Sequence, residues 1–232
     1  MRFILIIIWM ASAFNSDAAL YYNGSSYSTK LSGVLTYPLT IACWFRADNV
    51  DGNYGIVCVG NEAGNKGFWL WLGGSYAGDP LKASSYSSGS SGESTTAESV
   101  TAGTWNSAVG LYISANQRAI SLNGGPIVTN TTGITITGAD TLIVGAFVNG
   151  GAIANKFPGS IQRVAVWDVL LSETEIRQFY LGRDPRMIRP DHLVNFLPLE
   201  GRNSPEIDLI SGGTMTNSGT VIRSLGTGNL QR

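Results

Sequence analysis

"FPGSIQRVAVWDVLLSETEI", residues Phe157–Ile176, joins a strand to the start of a helix almost without a pause. Its β-branched and bulky residues predict a strand over about Ile161–Trp167. Ser172 then precedes Glu175 by three positions, the spacing of a capping box at a helix N-terminus. The segment therefore predicts one strand followed by one short helix near residues 172–181.

The predicted helix has a single apolar stripe. Ile176, Phe179 and Tyr180 fall on one side of it, and Gly182 stands where a left-handed residue commonly ends a helix. Because so short a helix is not stable alone in water, its stripe must pack against a larger body.

That larger body is predicted to be all-β. In "LTIACWFRA", alternate residues fall on opposite faces, with Leu39, Ile41, Cys43 and Phe45 on one face and Thr40, Ala42, Trp44 and Arg46 on the other. Similar apolar segments alternate with turn residues, and no amphipathic stretch of helical length precedes residue 172. The pattern predicts two packed antiparallel sheets, with the polar stretch Ser85–Thr104 as a loop between strands.

Composition limits both the size of the core and the class of partner. With 232 residues and 44% hydrophobic content, the chain is large enough for one full domain with tails. Lys+Arg 15 against Asp+Glu 16 leaves almost no net charge, and no run of basic residues is present to neutralise phosphates. We therefore expect no nucleic acid partner.

The two cysteines, Cys43 and Cys58, do not have the spacing of a metal site. If the strands that carry them pair about the loop between them, the two thiols lie roughly opposite each other. Two alternatives remain open: buried free thiols that behave as small apolar groups, or a disulfide.

The start of the chain, "MRFILIIIWMASA", has three interpretations. An arginine, an apolar run and small residues form the pattern of a secretory signal over residues 1–13. The apolar run could instead be a retained strand or intermolecular anchor, and the natural start could be Met10. Since the run is too short to span a bilayer, we expect no membrane association of the mature protein.

Five segments together resemble the laminin-G-like, concanavalin A-like jelly-roll superfamily. They are "YYNGSSYS", "PLTIACWFRAD", "GFWLWLGG", "TAGTWNSAVGLYISANQRAISLNGG" and the segment quoted first. The resemblance implies a two-sheet antiparallel jelly-roll sandwich over residues 14–182, with the short helix at its end.

The segment 183–232 resembles the continuation of laminin-G-like proteins that tailed bacteriophages encode. The matching pieces are Arg189–Val194, Pro198–Leu199 and the turn at Asp208–Gly213. This likeness implies a virion surface protein, such as a capsid decoration or a tail or fibre component. Its partners would be other virion proteins or copies of itself, and the segment would pack on the sandwich or contact such a partner.

Catalysis is not expected, although the superfamily includes glycanases. Retaining glycoside hydrolysis needs two carboxyl groups about 5–5.5 Å apart. Glu206 and Asp208 begin the alternating acidic pattern of such enzymes, but Ile210 interrupts it, so we expect a surface strand there. The lone His192 has no partners for a catalytic triad.

Three tryptophans are the candidate ligand-binding residues. Trp69 and Trp71 share one face of "GFWLWLGG", and Trp44 shares a face of its strand with Thr40, Ala42 and Arg46. If the pair faces outward it forms an aromatic patch for a glycan or a protein; if inward, it belongs to the core.

Asp48, Asp51 and Asn53 are candidate ligands for Ca²⁺, which many laminin-G-like domains hold, although turn chemistry explains these residues equally well. We expect no other cofactor.

Two functions follow from these observations. The first is a non-enzymatic structural protein on a phage-like virion surface, using the jelly roll for protein or glycan contact. The alternative is a secreted, lectin-like carbohydrate-binding module that contacts a surface glycan.

Overall fold

The computed structural model describes residues 18–225, and the prediction for residues 1–13 lies outside them. Within this range the strands are β1 (Ala18–Asn23), β2 (Tyr27–Leu35), β3 (Leu39–Ala47), β4 (Asn53–Asn61), β5 (Lys66–Gly73), β6 (Pro80–Ser87), β7 (Ser90–Ser99), β8 (Asn106–Ser114), β9 (Gln117–Leu122), β10 (Val128–Asn130), β11 (Ala139–Val144), β12 (Phe147–Asn149), β13 (Ala152–Ala154), β14 (Pro158–Trp167), β15 (Leu193–Leu197), β16 (Thr216–Ser218) and β17 (Val221–Leu225). Helix α1 spans Glu173–Tyr180, and short 3₁₀ turns span Pro185–Met187 and Pro190–His192.

The strands form two packed antiparallel sheets, as predicted. The first sheet has the order β10-β9-β8-β3-β14-β1-β17, with β15 beside the second half of β14. The second has the order β16-β2-β11-β4-β5-β6-β7, and β12 and β13 form a separate hairpin. The all-β jelly-roll sandwich with one short helix is thereby confirmed.

The interior follows the period-two pattern of the sequence. Leu39, Ile41, Cys43 and Phe45 of β3 are fully buried in the core between the sheets, together with Phe68, Leu70 and Leu72 of β5. The alternate residues of both strands lie on the outer faces, where they join two smaller apolar clusters. Each outer face therefore carries an apolar cluster of its own.

The helix begins as the capping box predicts. The Ser172 Oγ accepts from the Glu175 N–H, and the Glu175 carboxylate accepts from the Ser172 N–H at 2.8 Å. Ile176 and Phe179 are buried on the outer face of the first sheet, while Tyr180 is 38% exposed. No helix within residues 18–225 combines the length and apolar character that crossing a bilayer requires.

Residues after the helix contribute strands to both sheets. β15 pairs with β14 and β17 with β1 in the first sheet, whereas β16 pairs with β2 in the second. The part of segment 183–232 that the structure describes is therefore built into the sandwich at both layers.

The loop expected over Ser85–Thr104 was wrong for most of its length. β6 continues to Ser87 and β7 forms the edge of the second sheet. The buried side of β7 carries small polar residues, so this strand lacks the alternation of apolar residues by which strands are recognised in a sequence. The Ser94 hydroxyl, for example, donates to the Val128 carbonyl at 2.5 Å.

The two cysteines do not lie opposite each other, because β3 and β4 belong to different sheets. Cys43 faces the core, and Cys58 lies on the outer face of the second sheet beneath β12. Both are free thiols, and burial raises the pKa of each. Of the two alternatives, the structure contains the buried thiols.

Candidate functional site

An elongated depression follows β2 on the outer face of the second sheet. Two cavities, of about 610 Å³ and about 270 Å³, share Thr29, Thr141 and Thr216 and so form one continuous surface feature. We call this feature the threonine trough. It is bounded along β2 by Tyr27 at one end and Gly33 at the other.

Strand register brings the three threonines together. Thr216 of β16 lies directly beside Thr29 of β2, and Thr29 lies beside Ile143 of β11. Thr141, two residues before Ile143, lies on the same face and beside Leu31. Directly opposed residues such as Thr29 and Thr216 have Cβ atoms about 4.5–5.5 Å apart, and a diagonal neighbour such as Thr141 lies about 7–8 Å from Thr29.

An aromatic ring and two opposite charges mark the Tyr27 end. The Lys156 ammonium lies 5.4 Å from the centroid of the Tyr27 ring. Ile153 of the β12–β13 hairpin and Ser218 of β16 form the walls, and Glu62 supplies a carboxylate at the rim. This end therefore combines apolar, hydroxyl and charged groups within a small cavity.

The Gly33 end is bounded by the turn that carries Gly212 and Gly213. The Lys30 ammonium donates to the Ser211 hydroxyl at 2.8 Å and to the Leu31 carbonyl at 2.9 Å, and lies 3.4 Å from the Asp208 carboxylate. These contacts fix the turn against β2 and leave Lys30 paired.

The buried Asp208 carboxylate organises this turn. It accepts from the backbone and side-chain donors Asn195 Nδ2, Phe196 N, Ile210 N, Ser211 N and Ser211 Oγ. Burial by itself would raise the pKa of Asp208, but these hydrogen bonds outweigh it and hold the pKa below its ordinary value of 3.8.

Glu206, the other acid of this pattern, has the opposite shift. Burial raises its pKa, although backbone N–H groups of Gly201 and Asn203 oppose the shift. Both acids are almost fully buried, so the expectation of a surface strand was wrong. Ile207 makes only an isolated bridge to Thr214, and neither carboxyl group lines the trough.

Trp69 and Trp71 point outward from the second sheet but lie beneath other side chains. The Trp69 ring is stacked between Tyr86, at 4.1 Å, and Phe147, at 4.3 Å between centroids. The Trp71 Nε1 donates to the Ser84 hydroxyl at 2.7 Å. The two tryptophans are only 5% and 4% exposed, so they form a covered layer instead of an open patch.

Trp44 lies on the outer face of the first sheet, whereas the trough lies on the outer face of the second. Its ring stacks on Tyr180 of α1, with centroids 6.0 Å apart and planes 10° from parallel. The structure therefore brings Trp69 and Trp71 together but places Trp44 in the other layer.

The three candidate calcium ligands engage in separate contacts. The Asp48 carboxylate accepts from the Tyr21 hydroxyl at 2.9 Å, and the Asn53 side-chain Oδ1 accepts from the Ser75 N–H and hydroxyl. Asp51 is exposed in the turn between β3 and β4. Across residues 18–225, no cluster of three or more His, Cys, Asp or Glu side chains is arranged to hold a metal. The calcium site stays a prediction.

The trough residues were missed by the sequence analysis. Tyr27, Thr29 and Leu31 alternate along β2, and this pattern indicates an outer face with hydroxyls, but Thr216 joins them from a strand almost 190 positions later. A short polar strand after the helix gives no apolar signal, so this pairing could not be read from local pattern.

Two packed antiparallel sheets with one short helix define a jelly-roll sandwich. The chain belongs to the Concanavalin A-like lectin/glucanases superfamily, whose Laminin_G_3 family model matches residues 22–177. No curated protein sequence matches the chain.

Solved structures with the same fold include carbohydrate-binding proteins and a pentraxin. The native heptameric SAP-like pentraxin of Limulus polyphemus is 14% identical, with a TM-score of 0.63, and the match covers 91% of this chain and 96% of that one. A candidate carbohydrate-binding protein of Bacteroides ovatus is 19% identical, with a TM-score of 0.61 and coverage of 91% and 61%. Domain 4 of the Geobacillus stearothermophilus arabinanase AbnA, bound to arabinotriose, is 16% identical, with a TM-score of 0.58 and coverage of 70% and 76%.

Proposed function

We propose that this protein is a non-enzymatic, lectin-like carbohydrate-binding domain that binds a glycan in the threonine trough. The single observation that carries the proposal is the lining: three threonines line both of two adjoining open cavities. Binding sites usually combine apolar walls with a few placed polar groups, as this trough does.

The chemistry of the trough matches that of a sugar. A sugar carries many hydroxyls that both donate and accept hydrogen bonds, and threonine and serine hydroxyls can do the same. Tyr27 and Ile153 offer apolar surface for the C–H groups of a sugar ring. The Glu62 carboxylate is an acceptor that forms stronger, charge-assisted hydrogen bonds with sugar hydroxyls.

The absence of hydrolysis is part of the proposal. Among the described residues that line the two cavities, Glu62 is the single carboxylate. Glycoside hydrolysis by the common mechanisms needs a pair of carboxyl groups flanking the bond. A trough with one such group can hold a glycan but lacks the second acid for cleavage.

The predicted tryptophans enter the proposal as support for the trough. Trp69 and Trp71 pack beneath the β12–β13 hairpin, which carries Ile153 into the wall of the trough. In this role they fix the wall without touching the ligand.

Two related folds support a glycan as the ligand. The AbnA domain is in complex with arabinotriose, and the B. ovatus protein is a candidate carbohydrate-binding protein. We propose export from the cell as the setting for such a domain. N-terminal sequencing of the mature chain tests export: a start at Phe14 or later supports it, and a start at Met1 or Met10 contradicts it.

A glycan array followed by calorimetry tests the binding function. Thr216→Val removes one exposed trough hydroxyl while keeping the β-branched shape, and Thr131→Val makes the same change at an exposed position outside the trough. We expect the array hits to bind several-fold more weakly to the Thr216→Val variant and unchanged to the control. Absence of any hit with folded protein refutes the proposal, as does equal binding by both variants.

A structural role on a phage-like virion surface is the second candidate function. The resemblance of the segment after residue 182 to phage-encoded chains favours it, and that segment supplies β15, β16 and β17. Leu31 and Val34 are 76% and 69% exposed, so they offer apolar contacts to another virion protein or a second copy. Mass spectrometry of purified particles tests this role: detection of the chain supports it, and its absence ends it.

A further inference from the structure

We infer that the threonine trough takes an internal stretch of a linear, uncharged glycan and not the terminal sugar of a branched chain. The inference rests on the proposed carbohydrate-binding function and adds the ligand class. Three properties of the trough carry it: its length, the placement of the residues at its two ends and its balanced charge.

The length of the trough exceeds what one sugar needs. Its lining runs along β2 from Tyr27 to Gly33. Six residue steps of a strand correspond to roughly 20 Å. The two cavities meet at Thr29 and Thr141, so a ligand in the centre can extend into both. Several consecutive sugar units are required to fill such a surface.

Glycines bound the Gly33 end. Gly33, Gly212 and Gly213 line the trough there and carry no side chain that could close it. At the Tyr27 end, Ser218 of β16 and Ile153 of the hairpin that packs on β4 lie on the two sides of β2, so they flank the trough. Sites that recognise a terminal sugar need a closing wall against its last hydroxyls, whereas an open-ended trough lets the chain continue on both sides.

The charges that face the trough are balanced. Lys30 is paired with Asp208 and donates to two further oxygens, so its ammonium is not available to an anionic ligand. At the other end the Glu62 carboxylate lines the trough, and the Lys156 ammonium lies over the ring of Tyr27. No cluster of cations is present among the lining residues to recognise a carboxylate or a sulfate group, so a neutral glycan is the better match.

Calorimetry with linear neutral oligosaccharides of increasing length tests the inference. The probes are cello-, xylo- and arabino-oligosaccharides of one to six units, together with sialyllactose as an acidic, terminal-sugar probe. For the series that binds, affinity should rise from the disaccharide to the hexasaccharide by about tenfold or more, about 1.4 kcal/mol. Reduction of the hexasaccharide end to an alditol should leave its affinity unchanged.

Variants at opposite ends of the trough test whether the ligand contacts both ends. Tyr27→Ala and Leu31→Ala should each weaken hexasaccharide binding, and each should reduce the gain from chain length. If only one of them matters, or if a monosaccharide binds as tightly as the hexasaccharide, the inference is overturned while the carbohydrate-binding function stands. Tighter binding of sialyllactose than of every neutral probe overturns it likewise. No binding of any glycan overturns the proposed function itself.

Discussion

Asp208→Ala should be among the most destabilising single substitutions in this chain. The carboxylate is 1% exposed and accepts five hydrogen bonds, and it lies 3.4 Å from the buried Lys30 ammonium. Its removal leaves that cation and several donors without their acceptor. Breaking a buried ion pair from one side costs about 3–5 kcal/mol.

Urea unfolding followed by tryptophan fluorescence measures this cost. For a domain of this size, 3 kcal/mol corresponds to a fall in Tm of roughly 10 °C. Asp191→Ala, an exposed position of the same residue type, serves as the control and should change stability by less than about 0.5 kcal/mol. A loss below about 1 kcal/mol for Asp208→Ala would refute the role assigned to its contacts.

A double-mutant cycle and the pH dependence of stability also test the pair of Lys30 and Asp208. Lys30→Met combined with Asp208→Ala should cost less than the sum of the single changes, because no isolated charge then stays buried. Since the pKa of Asp208 is lowered in the folded state, its contribution is present above its ordinary pKa of 3.8 and is lost as pH falls through the folded value. Strictly additive costs at neutral pH would contradict the pairing.

Three further substitutions test other parts of the structure. Glu206→Gln should raise Tm at neutral pH and have little effect below pH 4.5, because burial raises the pKa of Glu206 and its stability contribution is lost as pH rises; melting curves from pH 4 to 8 check this. Arg118→Met should cost about 2–4 kcal/mol in urea unfolding, because the fully buried guanidinium donates to four neutral oxygens that would lose their donor. Ser172→Ala should cost about 1 kcal/mol through loss of the capping box, a change that thermal unfolding can resolve. An unchanged midpoint in any of the three counts against the corresponding contact.

The sequence predicted the parts of the fold in which local pattern and burial agree. Along β3 and β5, alternate residues are apolar on the core side, so the two sheets could be expected before their topology was known. The helix start was equally predictable, because Ser172 and Glu175 satisfy each other's backbone within a single turn.

Pairing between distant strands was not predictable in the same way. Cys43 and Cys58 flank a short loop, which suggests a hairpin, yet the chain crosses there from one sheet to the other. β7 was missed for a related reason: it is stabilised as a strand by its neighbours, and Gly92 on its inner side leaves room for Arg118, since a Cβ there would lie 2.0 Å from the Arg118 Nη1.

The tryptophans show where period-two reasoning ends. Alternation assigns Trp69 and Trp71 to the face opposite Phe68, and the structure agrees on that point. Alternation cannot specify whether an outer face meets solvent, because a later segment can cover it. Here Phe147 arrives almost eighty positions later and stacks on Trp69. Because the tryptophans of β5 are covered, the accessible part of this sheet face lies at β2, β11 and β16, where threonines take the place of aromatic rings. A glycan that binds there would be held mainly by hydrogen bonds.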